Sequence, residues 1–149
     1  MILQAQTRQG ETQMIKQETS EFKTLAAMSD TEQAAWEQRE VRFDGVPEVT
    51  TDWLKEWFEH FRVIDIRQPE ELLPPIGHID QVEHIEMYNL PNEVTTWNPD
   101  VPVILICRTG SRTAYMSQFL QQNGFSQVAS VRGGMFSWHQ QGYPVSYEM

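Results

Sequence analysis

The stretch that most limits how this chain can fold is Val101-Pro102-Val103-Ile104-Leu105-Ile106, its most apolar run, which stops at Cys107 and a polar turn. An apolar run without alternation fits a strand covered on both faces, as in the middle of a parallel sheet. Pro102 stands near its start, where a missing N–H does least harm. From Ser111 the pattern becomes helical, with Met116, Phe119 and Leu120 on one face. Gly124 then stands where a helix ends in a left-handed residue, and Phe125 supplies the apolar clasp that follows such a stop.

The rest of the chain repeats this alternation. Thr50-Thr51-Asp52 precede Leu54, Trp57, Phe58 and Phe61, a helical spacing with an acidic first turn. Val63-Ile64-Asp65-Ile66 fits a second buried strand. Pro69 to Leu73 predicts a helical turn stopped by Pro74-Pro75. Residues 84–88 read as a short strand, 92–97 as a short helix and 128–131 as a strand. Gly133-Gly134 then turn the chain into a helix around 136–140, ended by Gly142 and Pro144. Strands alternating with helices imply an α/β fold, a doubly wound parallel sheet with helices on both faces and right-handed crossovers. The expected domain covers residues 46–149.

Residues 1–45 read as a polar, helical N-terminal extension. Met14, Ile15, Phe22, Leu25 and Ala26 give a weak apolar stripe. Ser29-Asp30-Thr31-Glu32 is a capping box that opens a helix through about residue 40.

The chain has one cysteine, so it has neither an internal disulfide nor an internal resolving thiol. A zinc site built on two or more cysteines is excluded by the same count. The four histidines, His60, His78, His84 and His139, show no tight ligand spacing. No metal and no cofactor is expected. No apolar run approaches the ~18 residues of a membrane span. Met1-Ile2-Leu3 turns polar at once, unlike a signal peptide, so a cytoplasmic location is expected. A net charge of −10 argues against nucleic acid or an anionic membrane as partner. That charge is uneven: residues 46–106 hold twelve Asp/Glu and three Lys/Arg, whereas 107–149 hold one Glu and three Arg. Those arginines, Arg108, Arg112 and Arg132, place a positive spot around the thiol.

Cys107 lies just past a strand and before a helix, the place where open α/β sheets bind ligands. A short loop closing onto a helix start aims backbone N–H groups at one spot, and with Arg108 and Arg112 it favours negative charge. A cysteine there should be more acidic than the free value of ~8.5, which makes it a competent nucleophile. Gly110 permits a positive φ or a close backbone approach to sulfur. Ser111 is suited to capping the helix, and Thr109 to donating to a bound anion. Arg108 and Arg112 are suited to holding the donor's oxyanions through forked hydrogen bonds.

Cys107-Arg108-Thr109-Gly110-Ser111-Arg112-Thr113 resembles the active-site loop of rhodanese-like domains. The resemblance extends through Phe119-Leu120, Gly124-Phe125, Val131-Arg132-Gly133-Gly134, Trp138 and Gly142-Tyr143-Pro144-Val145. Upstream, Ile64-Asp65-Ile66-Arg67 with Glu70 or Glu71, then Gly77-His78-Ile79, is similar to that family's other signature. One departure is Asp80-Gln81-Val82-Glu83, where the family often has a small Pro-Gly-Ala-like turn. The resemblance implies sulfane-sulfur transfer: Cys107 attacks a donor such as thiosulfate, keeps a persulfide and passes the sulfur to cyanide, a small thiol or a protein thiol. It also implies that Asp65 and Arg67 brace the loop rather than touch substrate. Two other readings stand beside it. A related phosphatase or arsenate reductase would have five residues between Cys and Arg, where this chain has four. A non-enzymatic interaction module could use the same scaffold.

Overall fold

The structure, a computed structural model, describes residues 22–148. The Met14 and Ile15 part of the apolar stripe lies outside them. Six strands form one sheet in the order β1-β2-β6-β5-β3-β4. They are β1 (Glu40–Val41), β2 (Pro47–Val49), β3 (Arg62–Asp65), β4 (Glu83–His84), β5 (Val103–Ile106) and β6 (Val128–Val131). Every neighbouring pair is parallel except β1 with β2. The sheet is therefore mixed rather than wholly parallel, because a tight hairpin, closed by the Arg42 N–H to Val46 O bond, reverses the chain between its first two strands.

Among the described residues five α-helices accompany it: α1 (Asp30–Trp36), α2 (Thr51–Trp57), α3 (Leu90–Glu93), α4 (Ser111–Gln122) and α5 (Gly134–Gln140). Adjacent residues of a strand face opposite ways, and β5 shows it. Ile104 and Ile106 pack with Trp36, Trp53, Leu54, Met135 and Trp138 from α1, α2 and α5. Val103, Leu105 and Cys107 pack with Leu90, Met116 and Leu120 from α3 and α4. Helices thus cover both faces, and all of β5 is buried. The Leu120 carbonyl receives the Phe125 N–H at 2.9 Å, with Gly124 at φ 91, so α4 stops as its sequence predicts.

Several elements differ from their sequence reading. The strand expected over 84–88 is only Glu83–His84; Met87–Asn89 coils into a 3-10 turn that leads to α3. The expected 92–97 helix begins earlier, at Leu90, and finishes as a 3-10 turn over Val94–Thr96. The unusual Asp80-Gln81 turn puts Gln81 itself in the left-handed region at φ 72, where glycine is usual, and closes with Val82 N–H to Ile79 O at 3.1 Å. Glu83, the acidic residue that departs from the family pattern, is buried against Arg62 through two hydrogen bonds of 2.9 Å.

The largest difference lies before residue 46. The Ser29–Glu32 capping box forms in both directions, but α1 ends at Trp36 instead of running to about residue 40. Arg39 accounts for the stop: its guanidinium bonds back to Trp36 O at 3.0 Å and across to Val128 O at 2.9 Å, turning the chain into the sheet edge. Trp36 is fully buried, stacks on Phe61 with ring centroids 5.2 Å apart and donates its indole N–H to Gln127 at 2.9 Å. Met28, Ala35 and Trp36 therefore belong to the same core, and β1 joins the sheet ahead of Val46, so the packed unit extends to the N-terminal side of that residue. Trp36→Ala should lower the unfolding free energy by about 3–5 kcal/mol in chemical denaturation. A loss below about 1 kcal/mol would show that this segment is dispensable.

Candidate active site

Cys107 follows the last residue of β5, and α4 begins four residues later. Gly110 makes this sharp turn possible. It takes φ 106, a conformation that an L side chain resists, and it stands as the N-cap of α4. In that conformation its N–H points back at the Cys107 Sγ, 3.2 Å away. On the sheet side the Thr113 hydroxyl lies 3.5 Å from the same sulfur, 3.2 Å from Gly110 O and 2.7 Å from the Ser130 hydroxyl. One backbone donor, the Gly110 N–H, thus reaches the sulfur, with the Thr113 hydroxyl in contact beside it, where the sequence reading anticipates several backbone amides.

A second contact fixes the loop from behind. The first amides of α5 donate to it: Met135 N–H to Cys107 O at 2.8 Å and Phe136 N–H to Arg108 O at 2.9 Å. This approach is so close that a Cβ on Gly134 would sit 2.4 Å from Cys107 O and 2.6 Å from Arg108 O. Only glycine fits there, and Gly134 is also at φ 55. The two carbonyls bend toward α5, while the Gly110 N–H turns toward the sulfur.

Other predicted residues fall differently. Ser111 is the first helical residue rather than the cap, since Gly110 holds the cap position and offers no side chain; its hydroxyl lies 3.5 Å from that of Thr109. Arg108 and Thr109 are exposed. Arg112 is not free to hold an oxyanion, because both its Nη atoms bond to the carboxylate of Glu71, at 2.8 and 2.9 Å. Glu71 also accepts the Gln68 N–H at 3.0 Å. The Arg112 hydrogen bonds, aided by that N–H, hold the Glu71 carboxyl at a pKa of about 2, so it stays ionised. In turn Glu71 pushes the Arg112 pKa up, helped by nearby negative charge at Cys107 and Asp65.

Asp65 and Arg67 form a buried ion pair, with Nη2 2.8 Å from the carboxylate. Arg67 also donates to Glu71 O and Gly77 O, at 2.8 Å each. The pair therefore braces the neighbouring 68–77 segment and reaches the cysteine loop only through Glu71 and Arg112. The sequence reading assigned no role to Thr113 or Ser130, and read Gly134 only as part of a turn. Ser130 had a signal, as the one polar residue in the buried strand Val128–Val131.

Cys107 itself is fully buried, among Leu105, Met116 and Leu120. Its side chain turns under the Gly110 N–H, while Arg108, Thr109 and Ser111 leave the loop itself partly exposed. Burial alone would suit an inert core cysteine. The Gly110 N–H directed at the sulfur distinguishes it.

A family model described as the rhodanese-like domain matches residues 50–141. The chain belongs to the rhodanese-like domain family. Among curated relatives it is 35% identical over 96 residues to YtwF of Bacillus subtilis, covering 62% of this chain and 90% of that one. It is 30% identical to the thiosulfate sulfurtransferase GlpE of Pseudomonas aeruginosa, over 52% of this chain and 68% of that protein. A rhodanese-related protein of Thermoplasma volcanium superposes with a TM-score of 0.60 at 32% identity, over 68% of this chain and 98% of its own. These relatives support a rhodanese-type sulfurtransferase. A Rhodopseudomonas palustris protein described as a possible tyrosine phosphatase also aligns, over 92% of this chain and all of its own, with a TM-score of 0.60; at 20% identity it shows the fold alone. Among the described residues no helix is long and apolar enough to cross a membrane.

Placing a methyl group at residue 134 tests how this rhodanese-like loop is held. Gly134→Ala should cost about 2–4 kcal/mol, from left-handed strain plus the displaced carbonyls, and should reduce sulfur transfer more than it reduces the folded fraction. Wild-type stability together with full transfer would show that the close approach is unimportant.

Proposed function

We propose that this chain carries sulfane sulfur as a persulfide on Cys107, taking it from thiosulfate or another persulfide donor and passing it to cyanide, a small thiol or a protein thiol. The Gly110 N–H directed at Sγ carries this reading. It is a fixed donor aimed at an atom that is anionic before the first bond forms and again after the second bond breaks. In the first step the Cys107 thiolate attacks the donor's outer sulfur. The Sγ–S bond forms as the donor's S–S bond breaks, and the leaving group departs with the electron pair. In the second step the acceptor attacks that outer sulfur, and the pair returns to Sγ. The chain has no other cysteine to resolve the persulfide, so the acceptor must come from outside. A reducing compartment such as the cytoplasm would keep that lone thiol available.

Because Sγ is fully buried, a donor reaches it only through local movement of the residues around it. The same burial favours a second reading, a non-catalytic interaction module on the rhodanese scaffold. One variant separates the two. Cys107→Ser should abolish transfer from thiosulfate to cyanide, with a stability loss of only about 1 kcal/mol because Gly110 and Thr113 satisfy the new hydroxyl. Retained transfer would falsify the persulfide mechanism, and a wild-type protein inactive with thiosulfate and with organic persulfides alike would favour the module.

A further inference from the structure

The arginines near the loop differ in what already holds them. The fork of Arg112 is spent on Glu71, at 2.8 and 2.9 Å. Arg132, one residue before the Gly133-Gly134 turn, is spent on Glu40 at 2.8 Å and Glu48 at 3.0 Å. Arg67 is buried against Asp65. Arg108 alone has no carboxylate partner among the described residues, and it is exposed. A loop that reads in sequence as a cradle for an anion thus presents one free guanidinium, on a chain of net charge −10.

The donors of the proposed reaction differ sharply in charge. With thiosulfate, a thiolate meets a dianion: the Sγ–S bond forms, the bond to the sulfonate sulfur breaks and sulfite leaves with the electron pair. Three negative charges gather over the reacting atoms. With a neutral organic persulfide, R–S–SH, the same attack on the outer sulfur yields Cys–S–SH and expels R–S⁻, and the total charge is one. The Gly110 N–H, the donor that reaches Sγ, matches the second case; the first needs a cation beside the thiolate. Arg112 is the group placed to supply it, since it stands in the first turn of α4, two residues past the Gly110 cap whose N–H meets Sγ.

We infer that Glu71 is a specificity-determining positioning residue: by occupying the Arg112 fork it turns the site against small dianionic sulfur donors and toward organic persulfides of low charge. This rests on the persulfide reading above and names its donor class. Glu71 is fixed for that task from two sides, by the Gln68 N–H at its carboxylate and by Arg67 at its own carbonyl. The carboxylate remains charged throughout the physiological range.

The test uses the full chain, cyanide as acceptor, and two donors: thiosulfate and an uncharged alkyl persulfide generated in solution. Wild type should show the higher kcat/KM with the alkyl persulfide. Glu71→Gln should raise kcat/KM for thiosulfate about fivefold or more, mainly through KM, and leave the alkyl persulfide within about twofold. Thiosulfate turnover by that variant should fall as salt rises from about 20 to 200 mM, because Arg112 then attracts the dianion through solvent. The double variant Glu71→Gln/Arg112→Gln removes the freed cation and should return the donor ratio to its wild-type value. If Glu71→Gln alone fails to fold, Glu71→Asp, whose shorter side chain cannot keep both Nη bonds, should move the donor ratio in the same direction. An unchanged donor ratio in Glu71→Gln, or a wild type that prefers thiosulfate, overturns the role of Glu71. Absence of transfer from both donors in wild type overturns the persulfide reading itself, and the two failures are thereby distinct.

Discussion

The site depends on one backbone contact, the docking of the Cys107 and Arg108 carbonyls onto the first amides of α5. A loop between a strand and a helix has more N–H and C=O groups than local partners, and each buried one must find a mate. α5 draws two carbonyls to one side, and the Gly110 N–H is left for the sulfur. The arrangement needs backbone closer than any side chain allows, hence Gly134, and a reversal of direction at Gly110. The sheet supplies the fixed base, since β5 lies between β3 and β6 and is buried over its whole length. Fold and chemistry meet at this point: the central strand ends rigidly, and the next four residues are shaped by where α5 begins.

Charge is arranged around the loop in pairs. Buried ions cost much free energy unless they are matched, and Asp65 with Arg67 and Arg62 with Glu83 are both matched by forked hydrogen bonds. The same pairing extends outward through Glu71 to Arg112, so the bracing network and the site share one residue. Arg67 fixes the segment that carries Glu71, and Glu71 fixes Arg112. A positive cluster read from composition is in three dimensions a set of neutralised pairs with Arg108 left over.

What the sequence made legible follows from how local each signal is. The buried strands Arg62–Asp65, Val103–Ile106 and Val128–Val131, and the helix from Ser111, were readable because uninterrupted apolar runs and helical spacing are strong over short windows. Gly110 was readable as a turn because its φ is a local need. The strands Glu40–Val41 and Pro47–Val49 were not, being two and three residues long with a charge in each. The burial of Trp36 was hidden too, since α1 around it is polar and its partners, Phe61 and Gln127, lie far along the chain. Within the site, the cysteine, Gly110 and the arginines could be named, but the partners of those arginines could not. Whether a guanidinium meets a substrate or Glu71 is decided by distance across the fold, and spacing in sequence does not encode it.

The central claim is that an outer sulfur, covalently bound to Cys107, is stabilised at the end of β5. Intact-protein mass after incubation with a sulfur donor, followed by peptide mapping, tests this most directly. The account predicts a gain of one sulfur atom on the peptide that contains Cys107, discharged on adding cyanide. No gain with either thiosulfate or an organic persulfide, or a gain that maps elsewhere or survives cyanide, would contradict it.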